Sequence, residues 1–150
     1  MSTRVEELRR IFLFRSLSDP VLALVADVAT EVSLAPGETL VSDGDPEKAL
    51  YIIRRGTIRA VRDKHPSLFL GPGDSIGLVA LIDGGPMGLT AVALERVEVL
   101  LIGRTALAQK LAGNYEAEFE LYRAGARALA SNIRFLVDDW AIAGSKGRND

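Results

Sequence analysis

The apolar pattern predicts a mainly β domain with flanking helices, built as a β-sandwich or barrel. From Thr30 to Ile102 the apolar residues fall in short runs with two-residue alternation. Turn-forming groups break these runs every eight to twelve residues: Ala35-Pro-Gly-Glu, Ser42-Asp-Gly-Asp-Pro, Arg55-Gly56, Leu70-Gly-Pro-Gly-Asp and Asp83-Gly-Gly-Pro. On either side of this region the apolar spacing changes to three and four, the period of helices. A chain of 150 residues, 48% hydrophobic and 25% charged, holds one domain with a real core and no room for a second.

Val5, Leu8 and Phe12 are three to four apart and predict a short helix lying on the domain. Ser18 ahead of Asp19 and Pro20 is a helix-start arrangement, and Val21, Leu24, Val25 and Val28 make one apolar face, so Asp19 to Ala29 reads as helix. In the β region, Leu50-Tyr-Ile-Ile and Thr57-Ile-Arg-Ala-Val are expected to pair across a turn at Arg54 to Gly56, and Val97-Glu-Val-Leu-Leu-Ile closes the series. Gly103 to Leu111 turns helical again. Asn114 then caps a last, long helix reaching about residue 140, with Glu116, Glu118 and Glu120 near the positive end of its dipole. The domain reads as residues 1–143, followed by a disordered tail from Gly144 to Asp150.

Composition removes several functions. A formal net charge of −2 provides no basic field for a phosphate backbone, so nucleic acid is not an expected partner. Without cysteine there is no disulfide framework or thiol nucleophile, and a single histidine excludes a multi-histidine metal site. His65 stands in a loop beside Pro66, and the hydroxyls Ser75, Thr90 and Ser131 have no histidine base, so no catalytic residue is assigned and no cofactor is expected. Met1 to Arg10 lacks the apolar stretch of a signal peptide, and no run approaches the ~18 to 20 apolar residues of a membrane-spanning helix. The expectation is a soluble, cytoplasmic, non-enzymatic protein with no membrane partner.

The last helix carries a distinct signal. Tyr115, Phe119, Tyr122, Ala126, Leu129, Ile133, Leu136 and Trp140 are separated alternately by four and three residues, an unbroken heptad seam. With Phe119, Ala126, Ile133 and Trp140 at a, Glu118 falls at g and Arg123 at the following e, where a parallel pair of chains joins them. The expected partner is a second copy of the chain. The alternative is that the stripe packs on its own β-core, as most amphipathic faces do.

Ser75 to Thr90 reads Ser-Ile-Gly-Leu-Val-Ala-Leu-Ile-Asp-Gly-Gly-Pro-Met-Gly-Leu-Thr. This run resembles, without a gap, the phosphate-binding cassette of cyclic-nucleotide-binding domains of the catabolite-activator type, except at its two charged positions. Leu34-Ala-Pro-Gly-Glu-Thr-Leu, Gly44-Asp45, Leu50-Tyr-Ile-Ile-Arg-Arg-Gly-Thr-Ile, Leu70-Gly-Pro-Gly-Asp and Leu100-Leu-Ile-Gly-Arg-Thr are similar to that family in order and spacing, so the resemblance covers roughly Phe12 to Leu136. It implies a double-stranded β-helix, or jelly roll, with N-terminal helices and a long C-terminal helix.

In the family, backbone N–H groups at the start of a short helix meet the cyclic phosphate, an arginine pairs with it, and a glutamate accepts from the ribose hydroxyl. Here Leu78 replaces the glutamate and Met87 the arginine, whereas Thr90 matches the family threonine and Gly77 to Ala80 keep the main-chain donors. Losing two charged hydrogen bonds weakens binding by ~3 to 6 kcal/mol. The resemblance therefore implies a degenerate pocket of Gly77, Leu78, Val79, Ala80, Met87, Gly88, Leu89 and Thr90. Ser131 and Asn132 stand where the family places polar groups over the base, or are ordinary polar helix positions. Leu78, Met87 and Leu89 either fill the core or line an apolar pocket for an uncharged or lipophilic ligand. A replacement cation would come from Arg59, Arg62, Arg127 or Arg134.

Family regulators continue into a helix-turn-helix domain; the 150 residues here leave no room for one, so direct operator binding is not expected of this chain. Two readings remain. One is a dimerising interaction module, with a further protein partner open, that does not hold cyclic nucleotide conventionally. The other is a sensor that binds cAMP, cGMP or another ligand atypically in the cassette and signals through the C-terminal helix.

Overall fold

Strand residues Ala49 to Ile53 are all buried, which requires a strand covered on both faces. The computed structural model, which describes the backbone from Thr3 to Arg148 and the side chains from Thr3 to Ser131, supplies both covers. The element order is α1 (Thr3–Arg9), a 3-10 turn (Phe12–Phe14), α2 (Asp19–Val28), β1 (Ala29–Leu34), β2 (Thr39–Val41), β3 (Ala49–Arg55), β4 (Ile58–Val61), β5 (Leu68–Leu70), β6 (Ser75–Ile76), α3 (Leu78–Asp83), β7 (Thr90–Ala93), β8 (Val97–Gly103), α4 (Arg104–Leu111) and α5 (Tyr115–Arg148).

Two antiparallel four-stranded sheets, ordered β1-β8-β3-β6 and β2-β7-β4-β5, form the jelly roll, and the helices cover the back of the first. Alternation along the central strands divides the core in two. Ala49, Tyr51 and Ile53 of β3, with Val97 and Val99 of β8, enter the cluster between the sheets. Leu50 and Ile52, with Leu100 and Ile102, point the other way into the cluster under the helices. The fold class read from the sequence holds.

Three local expectations need correction. The runs at β3 and β4 do not pair with each other: β3 lies between β8 and β6, and β4 between β7 and β5. Gly56, at φ 93 and with no room for a β-carbon beside the Arg96 carbonyl, carries the chain from one sheet to the other. The first helix ends at Arg9, and Phe12 is exposed while Leu13 and Phe14 of the 3-10 turn enter the core. The second helix stops at Val28, because Ala29 already pairs with Ile102 as the first residue of β1.

The helical layer is joined by polar contacts. Asn114 caps α5 as expected, its Oδ1 accepting from the Ala117 N–H at 3.1 Å. Ser18 stands at the N-cap of α2, but its hydroxyl donates to Glu120 of α5 at 2.9 Å and its N–H to the same carboxylate at 2.9 Å. Arg54 of β3 donates to Glu7 at 2.6 Å and pairs with Glu31 at 3.1 Å, tying α1 to the sheet.

The backbone of α5 runs to Arg148, beyond the residue near 140 where the sequence placed its end, and so takes in part of the segment 144–150 read as a tail. The side chains of Asn132, Ile133, Arg134, Leu136 and Trp140, and residues 149–150, lie outside the described residues. No helix among the described residues is long and apolar enough to cross a membrane.

Candidate functional site

The cassette begins where β6 ends. Gly77 turns the chain at φ 100 into α3, and Gly84 at φ 73 ends that helix. Gly77 is required here twice over: its φ is one that side-chain-bearing residues rarely adopt, and a β-carbon would run into the Ala49 carbonyl oxygen. The same β-carbon would lie 2.9 Å from Cε of Met87. The end of the methionine side chain is therefore packed against the first residue of the cassette.

The helix sends its side chains in three directions. Ala80 enters the cluster between the sheets, Leu78 and Leu81 join the cluster under the helices, and Val79 faces solvent. Met87 is 8% exposed and belongs with Ala80, Ile76, Tyr51 and Ala91 between the sheets, with Leu89 packed against them. Leu78 and Met87, read from the sequence as two walls of one pocket, thus belong to different clusters. The cause is the helical period: residue 78 lies two positions before Ala80, on another face of a six-residue helix.

Gly88 is at φ 77 with open space around it. The Thr90 hydroxyl accepts from the Asp43 N–H at 3.3 Å, so it holds the loop between β2 and β3. Ser131 is exposed.

Of the arginines considered from the sequence, those among the described residues, Arg59, Arg62 and Arg127, are exposed. Among the described residues, a cation that does reach the cassette helix is Arg104, the first residue of α4, whose Nε donates to the Leu81 carbonyl at 3.1 Å. It serves the carboxyl end of α3, where an orphan carbonyl needs a donor, and not the amino end where an anion would sit. Nothing local in the sequence marks this role; only the packing of α4 beside α3 reveals it.

Tyr51 has the most polar side chain in the inner cluster. Burial raises its phenol above the ordinary 10.0, with the Glu47 and Asp45 carboxylates adding to the effect. It stays neutral near pH 7. Among the described residues no group of three or more histidine, cysteine or acidic side chains converges on a point suited to a metal ion.

The seam of α5 has a clear position as far as it is described. Tyr115, Phe119 and Tyr122 are 79%, 64% and 53% exposed, and Ala126 is exposed as well, while Leu129 is half-buried. The helix packs on its own domain through Ala117, Leu121, Ala124, Gly125 and Ala128 instead. The small-residue stripe faces inward and the aromatic stripe outward.

A jelly roll carrying a short helix in the loop before its seventh strand and followed by a long C-terminal helix is the architecture of the cyclic-nucleotide-binding fold. More than half of the chain, residues 31–114, matches the family of the cyclic nucleotide-binding domain, and the chain belongs to that family. It is 28% identical over 138 residues to the CRP-like cAMP-activated global transcriptional regulator of Mycobacterium tuberculosis (strain ATCC 25618 / H37Rv), covering 89% of this chain. The chain spans 62% of that relative's length.

Among solved structures, the N-terminal domain of a transcriptional regulator from Streptomyces coelicolor A3(2) is 35% identical with a TM-score of 0.70, over 84% of this chain and 94% of that one. The catabolite activator protein of Thermus thermophilus shares the fold at 23% identity and a TM-score of 0.71, over 88% of this chain and 62% of its own.

Proposed function

We propose that this chain is a non-enzymatic, cytoplasmic regulatory module that dimerises through α5 and does not hold cyclic nucleotide in the manner of its cAMP-activated relatives. The observation that carries this reading is Met87, whose methyl end is packed against Gly77 at the mouth of the cassette helix, where the family arginine would pair with phosphate. A phosphate seated there would meet hydrocarbon in place of a countercharge, and its desolvation would go uncompensated. Leu78 supports the same reading, because it leaves the cassette for the helical cluster and offers no acceptor to a ribose hydroxyl.

The aromatic stripe of α5 supports the dimer. Three large aromatic side chains in a row on one exposed helix face are what a helix-to-helix interface uses. Calorimetric titration with cAMP and cGMP tests the reading: no saturable heat is expected at micromolar nucleotide, and a micromolar dissociation constant would sink it.

A further inference from the structure

We propose that the apolar cleft between α3, α4 and α5 is a binding site for a small lipophilic monocarboxylate, an aryl or alkyl acid of about ten heavy atoms. The cleft is walled by Leu78 and Leu81 of α3, Leu107 and Leu111 of α4, and Leu121 of α5. Its volume is about 140 Å³. A dry cavity of roughly 150 Å³ accepts a benzene ring, so a phenyl group or a short alkyl chain fits the body of the cleft.

The cleft is held open by the backbone. Gly125 of α5 faces Ile82 of α3, and even a β-carbon there would come within 2.9 Å of Ile82 Cδ1, so the two helices already meet as closely as they can. Beside that contact Ala108 of α4 is too short to reach across.

The polar head is chosen by Arg104, which lines the same cleft and is half-buried. Its Nε donates to Leu81, and among the described residues its terminal nitrogens have no hydrogen-bond or ion-pair partner. A guanidinium anchored at one nitrogen, on a residue that lines an apolar hollow, keeps the donors to match a carboxylate bidentately. Glu118 of α5 also lines the cleft and makes no ion pair with Arg104. It would favour an amine, and the comparison of head groups below decides between the two. Tyr122 lines the cleft and belongs to the aromatic stripe, so an occupant would touch the face assigned to dimerisation. The binding site itself does not depend on the dimer or on whether the cassette holds a nucleotide.

Phenylacetate, phenylacetamide and phenethylamine share one hydrocarbon body and differ in the head. Titrated into the full chain and followed by amide shifts at Leu78, Leu107 and Gly125, the acid is expected to saturate with a dissociation constant of order 0.1 to 1 mM, about ten-fold tighter than the amide. Arg104→Gln should bring the acid down to the level of the amide. Ala108→Phe, which fills the cleft from a solvent-exposed position, should remove binding of both while leaving the spectrum folded. No saturable binding of the acid, an amine that binds as well as the acid, or acid binding untouched by Arg104→Gln and Ala108→Phe would each overturn the proposal.

Discussion

Gly77 lies so close to the carbonyl oxygen of Ala49 that a β-carbon at residue 77 would run into it, so the cassette helix starts directly beside strand β3. This close approach makes a bare backbone compulsory at residue 77. Gly77→Ala must move either β3 or the helix as well as adopt a disfavoured φ, and should cost about 3 kcal/mol or more. Gly88→Ala is the control: its φ of 77 is equally unusual but nothing lies within 4 Å, so about 1 to 2 kcal/mol is expected. Urea unfolding of the two variants separates steric overlap from backbone strain, and equal losses would contradict the account.

Restoring the family arginine tests whether the seat has kept its frame. Met87→Arg puts a guanidinium into the apolar cluster between the sheets, and should lower stability by about 3 kcal/mol in the absence of ligand. Millimolar cAMP should raise the melting temperature of this variant and leave the wild type unmoved. Leu78→Glu should not add to the effect, because residue 78 turns toward the helices. A shared response of wild type and variant to cAMP would show that Met87 does not block the seat.

The stripe on α5 makes a prediction in which stability and assembly come apart. Phe119→Asp and Tyr122→Asp alter side chains exposed within one copy, so the unfolding free energy of the isolated domain should change by less than about 0.5 kcal/mol. Dimer dissociation should strengthen at least a hundred-fold, since aromatic anchors dominate such interfaces. Light scattering across a dilution series reads the second effect. Unchanged mass in both variants would remove the dimer from the functional reading.

Tyr51 predicts an alkaline limit. Its folded phenol holds its proton above 10.0 while the unfolded phenol releases it near that value, so the native state binds more protons there. The contribution is complete below pH 10 and is lost as pH rises from 10 toward the raised native value. Urea unfolding from pH 8 to 11 should show a decline in stability above pH 10 that is shallower in Tyr51→Phe. Identical slopes would mean that the ring titrates as a free one.

Much of the fold was legible because side-chain period follows backbone type. Two-residue alternation marked the strands, and the heptad spacing of Tyr115, Phe119 and Tyr122 marked a face that the structure leaves uncovered. The hairpin expected between β3 and β4 failed for a physical reason: adjacency in sequence says nothing about which sheet completes a strand's hydrogen bonds, and Gly56 sends the chain across. Phe12 failed likewise, since a 3-10 turn shifted the buried positions to Leu13 and Phe14.

By itself, then, the order of residues determined that this is a jelly roll with a cassette loop, that apolar Leu78 and Met87 stand in that loop, and that α5 carries an aromatic stripe. These are properties of residue type and spacing, which the chain carries whether folded or not. Packing alone decided where the side chains went. Leu78 and Met87 parted into separate clusters, Arg104 came from the next helix to the wrong end of α3 for an anion, and Gly125 against Ile82 left a hollow beside them. Each of these depends on distances between segments far apart in the chain, and such distances exist only once the core has closed.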